Sequence, residues 1–227
     1  MSEILTLKNI NQFFYQGINR VSVLRNLKLD ISKSSKVAII GSSGSGKSSL
    51  LNIASLMQTP KKGDIYILGK CATDLNDTQK SLLRKTSIGY INQKNSLLME
   101  FSAFENIYIA LTLNNFNKSY GKERALELLK LVNMEHRANH KPSALSGGEQ
   151  QRVAIARAIA NSPEIIIADE PTGNLDKINS DKVIEELIKI SSVNKTALLI
   201  ATHDLSVAKK MDKVYNLIDG QLFTFRD

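Results

Sequence analysis

Three short stretches carry apolar residues without a break: Val37-Ala-Ile-Ile40, Ile165-Ile-Ile-Ala168 and Ala197-Leu-Leu-Ile-Ala201. Runs of this length with no alternation fit strands of a parallel sheet covered on both faces. Elsewhere the period is two. Val21-Ser-Val-Leu24 and then Leu27, Leu29 and Ile31 alternate with polar residues, as in a strand with one wet face, and Ile4, Leu5 and Leu7 begin a strand ahead of it. Further strands are predicted at Ile65-Tyr-Ile-Leu68, entered through a hairpin turn at Lys61-Lys-Gly63-Asp64, and at Ser87-Ile-Gly-Tyr-Ile91. Two more, 214–218 and 222–225, flank the turn Asp219-Gly220. Helical spacing places Leu50, Ile53, Ala54 and Met57 on one face. It does the same for Lys122, Ala125, Leu126, Leu129 and Val132 within 120–133, and for Val183, Ile184, Leu187 and Ile190 within 181–190. The polar segment 78–85 is also predicted helical.

Composition narrows the class. With 227 residues, 42% hydrophobic and 23% charged, the chain can bury a full core as one domain with a subdomain. The division expected is a core over 1–93 and 161–227, with a helical insertion over 94–160. No window reaches the 18 apolar residues of a membrane span, and Glu3 and Lys8 fall where a signal peptide would be apolar, so a soluble, unsecreted chain is expected. Cys71 is the single cysteine, which excludes an intrachain disulfide and suits a reducing compartment. The net charge of +8 comes from scattered lysines with no basic, aromatic-laced stripe, so it reads as solvated surface and no nucleic-acid partner is expected.

The chemistry gathers where the apolar runs end. Val37 to Ile40 leads into Gly41-Ser42-Ser43-Gly44-Ser45-Gly46-Lys47-Ser48, the G-x-x-x-x-G-K-S phosphate loop, with Ser49 opening the helix behind it. Its glycines let backbone amides turn inward on a β-phosphate, Lys47 neutralises β and γ oxygens, and Ser48 offers a hydroxyl to Mg²⁺. The run 165–168 ends in Asp169 and Glu170; at the carboxyl end of a parallel strand, one acid is expected to hold Mg²⁺ and the other to activate water. His203 follows the run 197–201 on the same sheet edge and is expected at the γ-phosphate. Upstream, Ser146 and Glu149 have capping-box spacing, while Gly147 and Gly148 leave the first helical amides bare for an anion. Glycine at two such positions costs about 1 kcal/mol each relative to alanine, which a plain helix start does not need.

Three features are less decided. Among Phe13, Phe14 and Tyr15, one is expected to stack on adenine, Phe14 first. The apolar stretch 95–106, with Leu97, Leu98, Phe101 and Phe104, fits either an internal contact or a docking surface for a partner helix. His136 and His140, four apart, have no third ligand and are not read as a zinc site.

Order and spacing of these motifs resemble the nucleotide-binding subunits of ABC transporters over essentially the whole chain. The resemblance implies an α/β fold: a P-loop NTPase (RecA-like) core with an N-terminal antiparallel β subdomain and an inserted α-helical signature subdomain. It makes Phe14 the A-loop aromatic and Gly41 to Ser48 Walker A. It makes Gln93, otherwise an unremarked glutamine, the Q-loop residue that meets metal or attacking water, and Ser146 to Gln150 the signature. Asp169 becomes the Walker B metal ligand, Glu170 the catalytic base, Asp176 the D-loop acid and His203 the switch histidine. It also implies ATP and Mg²⁺, a homodimer sandwiching nucleotide head to tail, and transmembrane permease subunits that hold the chain peripherally on the cytoplasmic face of a bacterial inner membrane. ADEPTGNLD at 168–176, PSALSGGEQQRVAIARA and the run 97–106 are similar to the lipoprotein-releasing subfamily, whose cousins are macrolide exporters and a cell-division ATPase. The chain departs from that pattern at Lys94-Asn95, where such relatives carry Phe-His, and at Ser49, where Thr is common.

Overall fold

The computed structural model describes residues 3–114 and 116–225; the outermost residues of the two expected core segments, 1–2 and 226–227, lie outside them. The chain opens with a long antiparallel pair, β1 (Glu3–Gln16) and β2 (Asn19–Ser32), followed by β3 (Lys36–Ile40) and α1 (Lys47–Ala54). Strands β4 (Lys62–Ile67) and β5 (Lys70–Cys71), helix α2 (Asp77–Ser87) and β6 (Ile88–Ile91) come next. Helices α3 (Ala103–Thr112), α4 (Lys118–Leu131) and α5 (Gly147–Ala158) then run without an intervening strand. The remainder alternates: β7 (Ile165–Asp169), α6 (Lys177–Asn194), β8 (Ala197–Thr202), α7 (Leu205–Ala208), β9 (Lys213–Ile218) and β10 (Gln221–Thr224).

Two sheets result. A four-stranded antiparallel sheet has the order β2-β1-β4-β5, and a six-stranded sheet has the order β10-β9-β3-β8-β7-β6. In the second, β9, β3, β8, β7 and β6 are parallel and β10 pairs antiparallel with β9. The unbroken apolar runs are the central strands. Ala38, Ile40, Ile166, Ala168, Leu198 and Ile200 face a core shared with α3 to α6, whereas Val37, Ile39, Ile165, Ile167, Leu199 and Ala201 face one shared with α1 and the antiparallel sheet. Both faces are therefore covered, which is why no alternation shows in the sequence; each fully buried Val, Leu or Ile contributes about 1.5–3 kcal/mol. Register aligns Ile40 with Thr202 and Asp169 with Ala201, so β3, β7 and β8 deliver their following residues to one sheet edge.

Several expected details move. Strand β4 starts at Lys62, and Gly63 sits inside it rather than in a turn. With φ of +99° and an added Cβ only 2.5 Å from the Lys8 and Asn9 carbonyls, this position admits β1 only because it is glycine. Helix α1 stops at Ala54: Leu56 turns left-handed (φ 60°) and the amides of Met57 and Gln58 both donate to the Asn52 carbonyl, which puts Met57 outside the apolar face, half exposed. In α4 the buried face is Gly121, Ala125, Leu128 and Leu129, and Lys122 and Leu126 point outward. The rotation follows from Gly121, where a Cβ would stand 3.1 Å from the Tyr108 ring of α3.

Candidate active site

The phosphate loop is shaped by the strand before it and by β2 beside it. Gly46 is the N-cap of α1 at φ 105°, and a Cβ there would lie 2.7 Å from Val23 Cγ1, so both conformation and space require glycine. Lys47 is 7% exposed, and its Nζ donates to the carbonyl of Gly41 at 2.8 Å and of Ser42 at 3.0 Å, with Glu170 Oε1 at 3.9 Å. The ammonium is thus held by its own loop. Lys47, Ser48, Ser49, Ser43, Gly44 and Gly46 line a cleft of about 410 Å³ together with Gln93, Asp169, Glu170 and Val23. Ser45 Oγ is buried close by, with no hydrogen-bond partner among the described residues.

Strand β7 brings in the two acids. Asp169 is its last residue; burial pushes this carboxyl above the ordinary Asp range, opposed by a hydrogen bond from Ser48 and the charge of Lys47, while Glu170 adds to the rise. The phenol of Tyr90, on the neighbouring β6, is pushed up to about 12 by burial and by the Asp169 carboxylate. Glu170 leaves the strand in a left-handed conformation (φ 43°), pinned by its amide donating to the Ala201 carbonyl at 2.9 Å and its carbonyl accepting from Gly173 at 3.0 Å. A non-glycine residue in that region costs on the order of 1–3 kcal/mol, and here it turns the carboxylate into the cleft, where Oε2 meets His203 Nδ1 at 2.9 Å. The glutamate side chain is 18% exposed and the histidine 65%.

Gln93 enters from the loop after β6, and its carbonyl accepts from Asn174 Nδ2 at 3.0 Å. The side-chain amide stands so near Gly173 that a Cβ there would meet Nε2 at 3.1 Å. Two residues on, Arg157 of α5 donates to the carbonyls of Asn95 (2.9 Å) and Ser96 (2.8 Å). Asn174 and Arg157 escaped the sequence reading because a turn asparagine and a helical arginine carry no spacing signal; their role is visible only through the carbonyls they hold.

Phe13, Phe14 and Tyr15 lie in β1 and are sorted by its pairing with β2. Arg20 covers the Phe13 ring at 3.9 Å, and Phe13 packs edge-on to Tyr15 at 5.7 Å. Phe14 pairs with Val21 and so shares its face, and Val21 lines a hollow with Ser42, Ser43, Gly44 and Ser45. Of the three aromatics, Phe14 is therefore the one turned toward the phosphate loop, 44% exposed.

The helix tip of α5 stands apart from this cleft: none of Ser146, Gly147, Gly148, Glu149 and Gln150 lines it. The capping box is formed, Ser146 Oγ accepting from the Glu149 amide at 3.3 Å and Glu149 Oε2 accepting from the Ser146 amide at 2.8 Å. That amide bond, foremost, holds the Glu149 carboxyl below its usual range, and Arg137 lies 3.3 Å from its other oxygen. The amides of Gly147 and Gly148 find no acceptor among the described residues. Gln150 turns inward to the carbonyls of Pro142 (2.9 Å) and Leu145 (3.1 Å). Asp176 caps α6, both its oxygens engaged by Asn179 at 3.1 and 2.6 Å. His140, in the short turn before the tip, lies 3.2 Å from Arg137 through Nε2.

The site's donors suit a hard cation completed by phosphate. No group of three or more His, Cys, Asp or Glu clusters to hold a metal among the described residues, but Mg²⁺ takes one carboxylate, a hydroxyl and phosphate oxygens rather than an all-protein cage, and Asp169 and Ser48 already hydrogen-bond each other.

The chain is 40% identical over 219 residues to the lipoprotein-releasing system ATP-binding protein LolD of Nitrobacter hamburgensis, covering 96% of this chain and 94% of that one. It is 43% identical over 218 residues to LolD of Paramagnetospirillum magneticum, covering 96% of each. Among solved structures it is similar to a dimer of the ATP-binding cassette MJ0796 in a post-hydrolysis state with ADP and Pi, at a TM-score of 0.90 and 36% identity, covering 98% of this chain and 99% of that one. The family profile described as ABC transporter matches residues 24–173, and with it the phosphate loop, Gln93, the α5 tip and both acids: the chain belongs to the ABC transporter family.

Proposed function

We propose that this chain is the ATP-hydrolysing subunit of an ABC transporter complex that drives release of lipoproteins from the inner membrane. One observation carries the enzymatic reading: Lys47, Ser48, Gln93, Asp169 and Glu170 share one cleft at the carboxyl edge of the parallel sheet, with Glu170 aimed by His203. Release of lipoproteins, rather than macrolide export or a cell-division role, is favoured by the lipoprotein-releasing relatives, about 40% identical across nearly the full chain.

Bound Mg²⁺ supplies charge neutralisation at the phosphates. The chain's own residues do the rest. Ser48 and Asp169 hold the cation, and Lys47 exchanges its loop carbonyls for β and γ oxygens. Glu170 takes the proton of the attacking water, steadied by His203, which also reaches the γ-phosphate; Gln93 orients that water. Phe14 stacks on the base. The bare amides of Gly147 and Gly148, with Ser146, meet the γ-phosphate held by a neighbouring chain, while Glu149 and Gln150 keep that tip in shape and Asp176 orders the segment beside it. Each site is then completed only in a head-to-tail dimer.

Leu98, Met99 and Phe101 are 44%, 54% and 40% exposed. They ride on a turn fixed by the buried Asn106, whose amide accepts from Leu98 N and donates to the carbonyls of Leu98, Phe101 and Ser102. A rigid apolar turn of this kind is where membrane subunits dock, in the helical segment 94–160. No helix among the described residues is long and apolar enough to cross a membrane, so attachment to the cytoplasmic face runs through those partners. The work is large: acyl chains gain about 0.8 kcal/mol per buried CH₂ in a bilayer, which makes unaided escape of a multiply acylated protein negligible.

Glu170→Gln tests this. The variant is expected to bind ATP, to lose nearly all turnover and to accumulate a closed dimer; unchanged steady-state hydrolysis would reject Glu170 as the base. Co-purification of membrane partners from detergent extract, followed by a lipoprotein-release assay, tests the cargo, and recovery of active complex without release would reject it.

A further inference from the structure

Arg157 occupies an unusual position for a half-buried cation. It is the penultimate residue of α5, about 15 Å along the helix from the tip at Gly147 at 1.5 Å per residue. Burial pulls its guanidinium below the ordinary arginine range, and no carboxylate pairs with it among the described residues. Its partners are two neutral carbonyls, Asn95 at 2.9 Å and Ser96 at 2.8 Å. Both acceptors are left-handed non-glycine residues, at φ 58° and 48°, and Ser96 is further held by Asn92 Nδ2 at 2.9 Å. A partly desolvated charge satisfied by strained backbone is costly to maintain, and a planar fork that spans two adjacent carbonyls fixes orientation as well as distance. The loop it grips begins at Gln93, whose own carbonyl is tied by Asn174 to the segment between Glu170 and Asp176. One loop is therefore fastened on one side to the acids' segment and on the other to the far end of the signature helix.

We propose that Arg157 is a positioning residue that links the placement of Gln93 in a chain's own cleft to the aim of that chain's Ser146 to Gly148 tip, passing movement of the loop through α5 to the neighbouring chain's triphosphate. This rests on the two-chain reading above. A merely structural arginine would support stability and nothing else, so the two roles separate by readout.

The test compares Arg157→Ala and Arg157→Lys, each alone and in a Glu170→Gln background. Thermal melting, binding of a fluorescent ATP analogue to the monomer, ATP-induced dimerisation and kcat are measured on each. Lysine keeps the charge but cannot bridge both carbonyls. Both variants are expected to bind the analogue within about twofold of the parent, while dimerisation weakens and kcat falls by about tenfold, within the usual range of coupling between sites, with lysine the milder. Parental dimerisation and kcat in the folded variants would overturn the proposal. So would a loss of activity that merely follows lost nucleotide affinity or a lowered melting temperature, or failure of both variants to fold, since a positioning role leaves the monomer intact. If Glu170→Gln alone fails to dimerise with ATP, the two-chain reading falls instead.

Discussion

At the mouth of the Lys47 cleft the polar groups are already engaged: the ammonium by the Gly41 and Ser42 carbonyls, Glu170 by His203, Asp169 by Ser48. At the tip of α5 the reverse holds. Ser146 and Glu149 satisfy each other, but the amides of Gly147 and Gly148 find no acceptor among the described residues. Internal bonds keep the first region in order without nucleotide, at the expense of having to be exchanged on binding. The second region is held open by its capping box and offers a partial positive charge that only an outside anion can satisfy. On the two-chain reading proposed above, a site built from one of each has a binding half and a completing half, contributed by different molecules.

Removing the binding half has the largest expected effect. Lys47→Ala should lower ATP affinity and steady-state hydrolysis together, by at least about a hundredfold in turnover, since no other cation among the described residues lines the cleft. A variant that hydrolyses ATP normally would show that the cleft is not where phosphate sits.

Gly148→Ala sharpens the contrast, because fold and function should move in opposite directions. The nearest atoms to an added Cβ there are those of Asn179 at 3.9 Å, so alanine fits and should stabilise the helix by up to about 1 kcal/mol. The same methyl stands beside the bare amides, so hydrolysis should fall by about tenfold or more while ATP binding to the monomer is unchanged. Melting curves and turnover on one preparation decide it; a more stable variant with full activity would remove phosphate from the tip.

His203→Ala should reduce turnover by about ten- to a hundredfold with little change in nucleotide affinity, as Glu170 loses the contact that orders it.

The smallest effect concerns the capping box. The folded Glu149 carboxyl titrates below its ordinary value, so its contribution is present above the unfolded pKa and is lost as pH falls through the folded one. Glu149 is partly exposed, so Glu149→Ala should destabilise the fold by no more than about 1 kcal/mol at neutral pH. That difference from the parent should shrink in acid melts, and Glu149→Gln, which keeps the box without a charge, should start from a smaller difference and lose its charge-dependent part over the same pH range.

Much of this was legible in the residues because the chain's local signals agree with its tertiary structure. The three apolar runs became central strands, the octet at 41–48 fell between strand and helix, and the Ser146–Glu149 spacing formed its box. What was not legible depends on a neighbour. Gly63 looked like a turn until β1 was known to cross it, and Leu126 looked buried until Gly121 let Tyr108 approach from the other side. Phe14 stood first among the three aromatics in the sequence, but the physical reason appears only in the structure, where Arg20 covers Phe13 and Phe14 shares the face of Val21. Arg157 has no sequence signal at all, since what it holds is backbone.

The most direct measurement mixes two impaired chains. Purified Lys47→Ala lacks the binding half and Gly148→Ala the completing half, so a head-to-tail pair of the two contains one site built from intact halves of both. Equimolar mixing is expected to restore hydrolysis to about a quarter of the parental rate, from the half of the dimers that are mixed and the one good site in each. Activity that stays at the average of the two separate variants would show that each chain completes its own site, and the division between the two regions would be wrong.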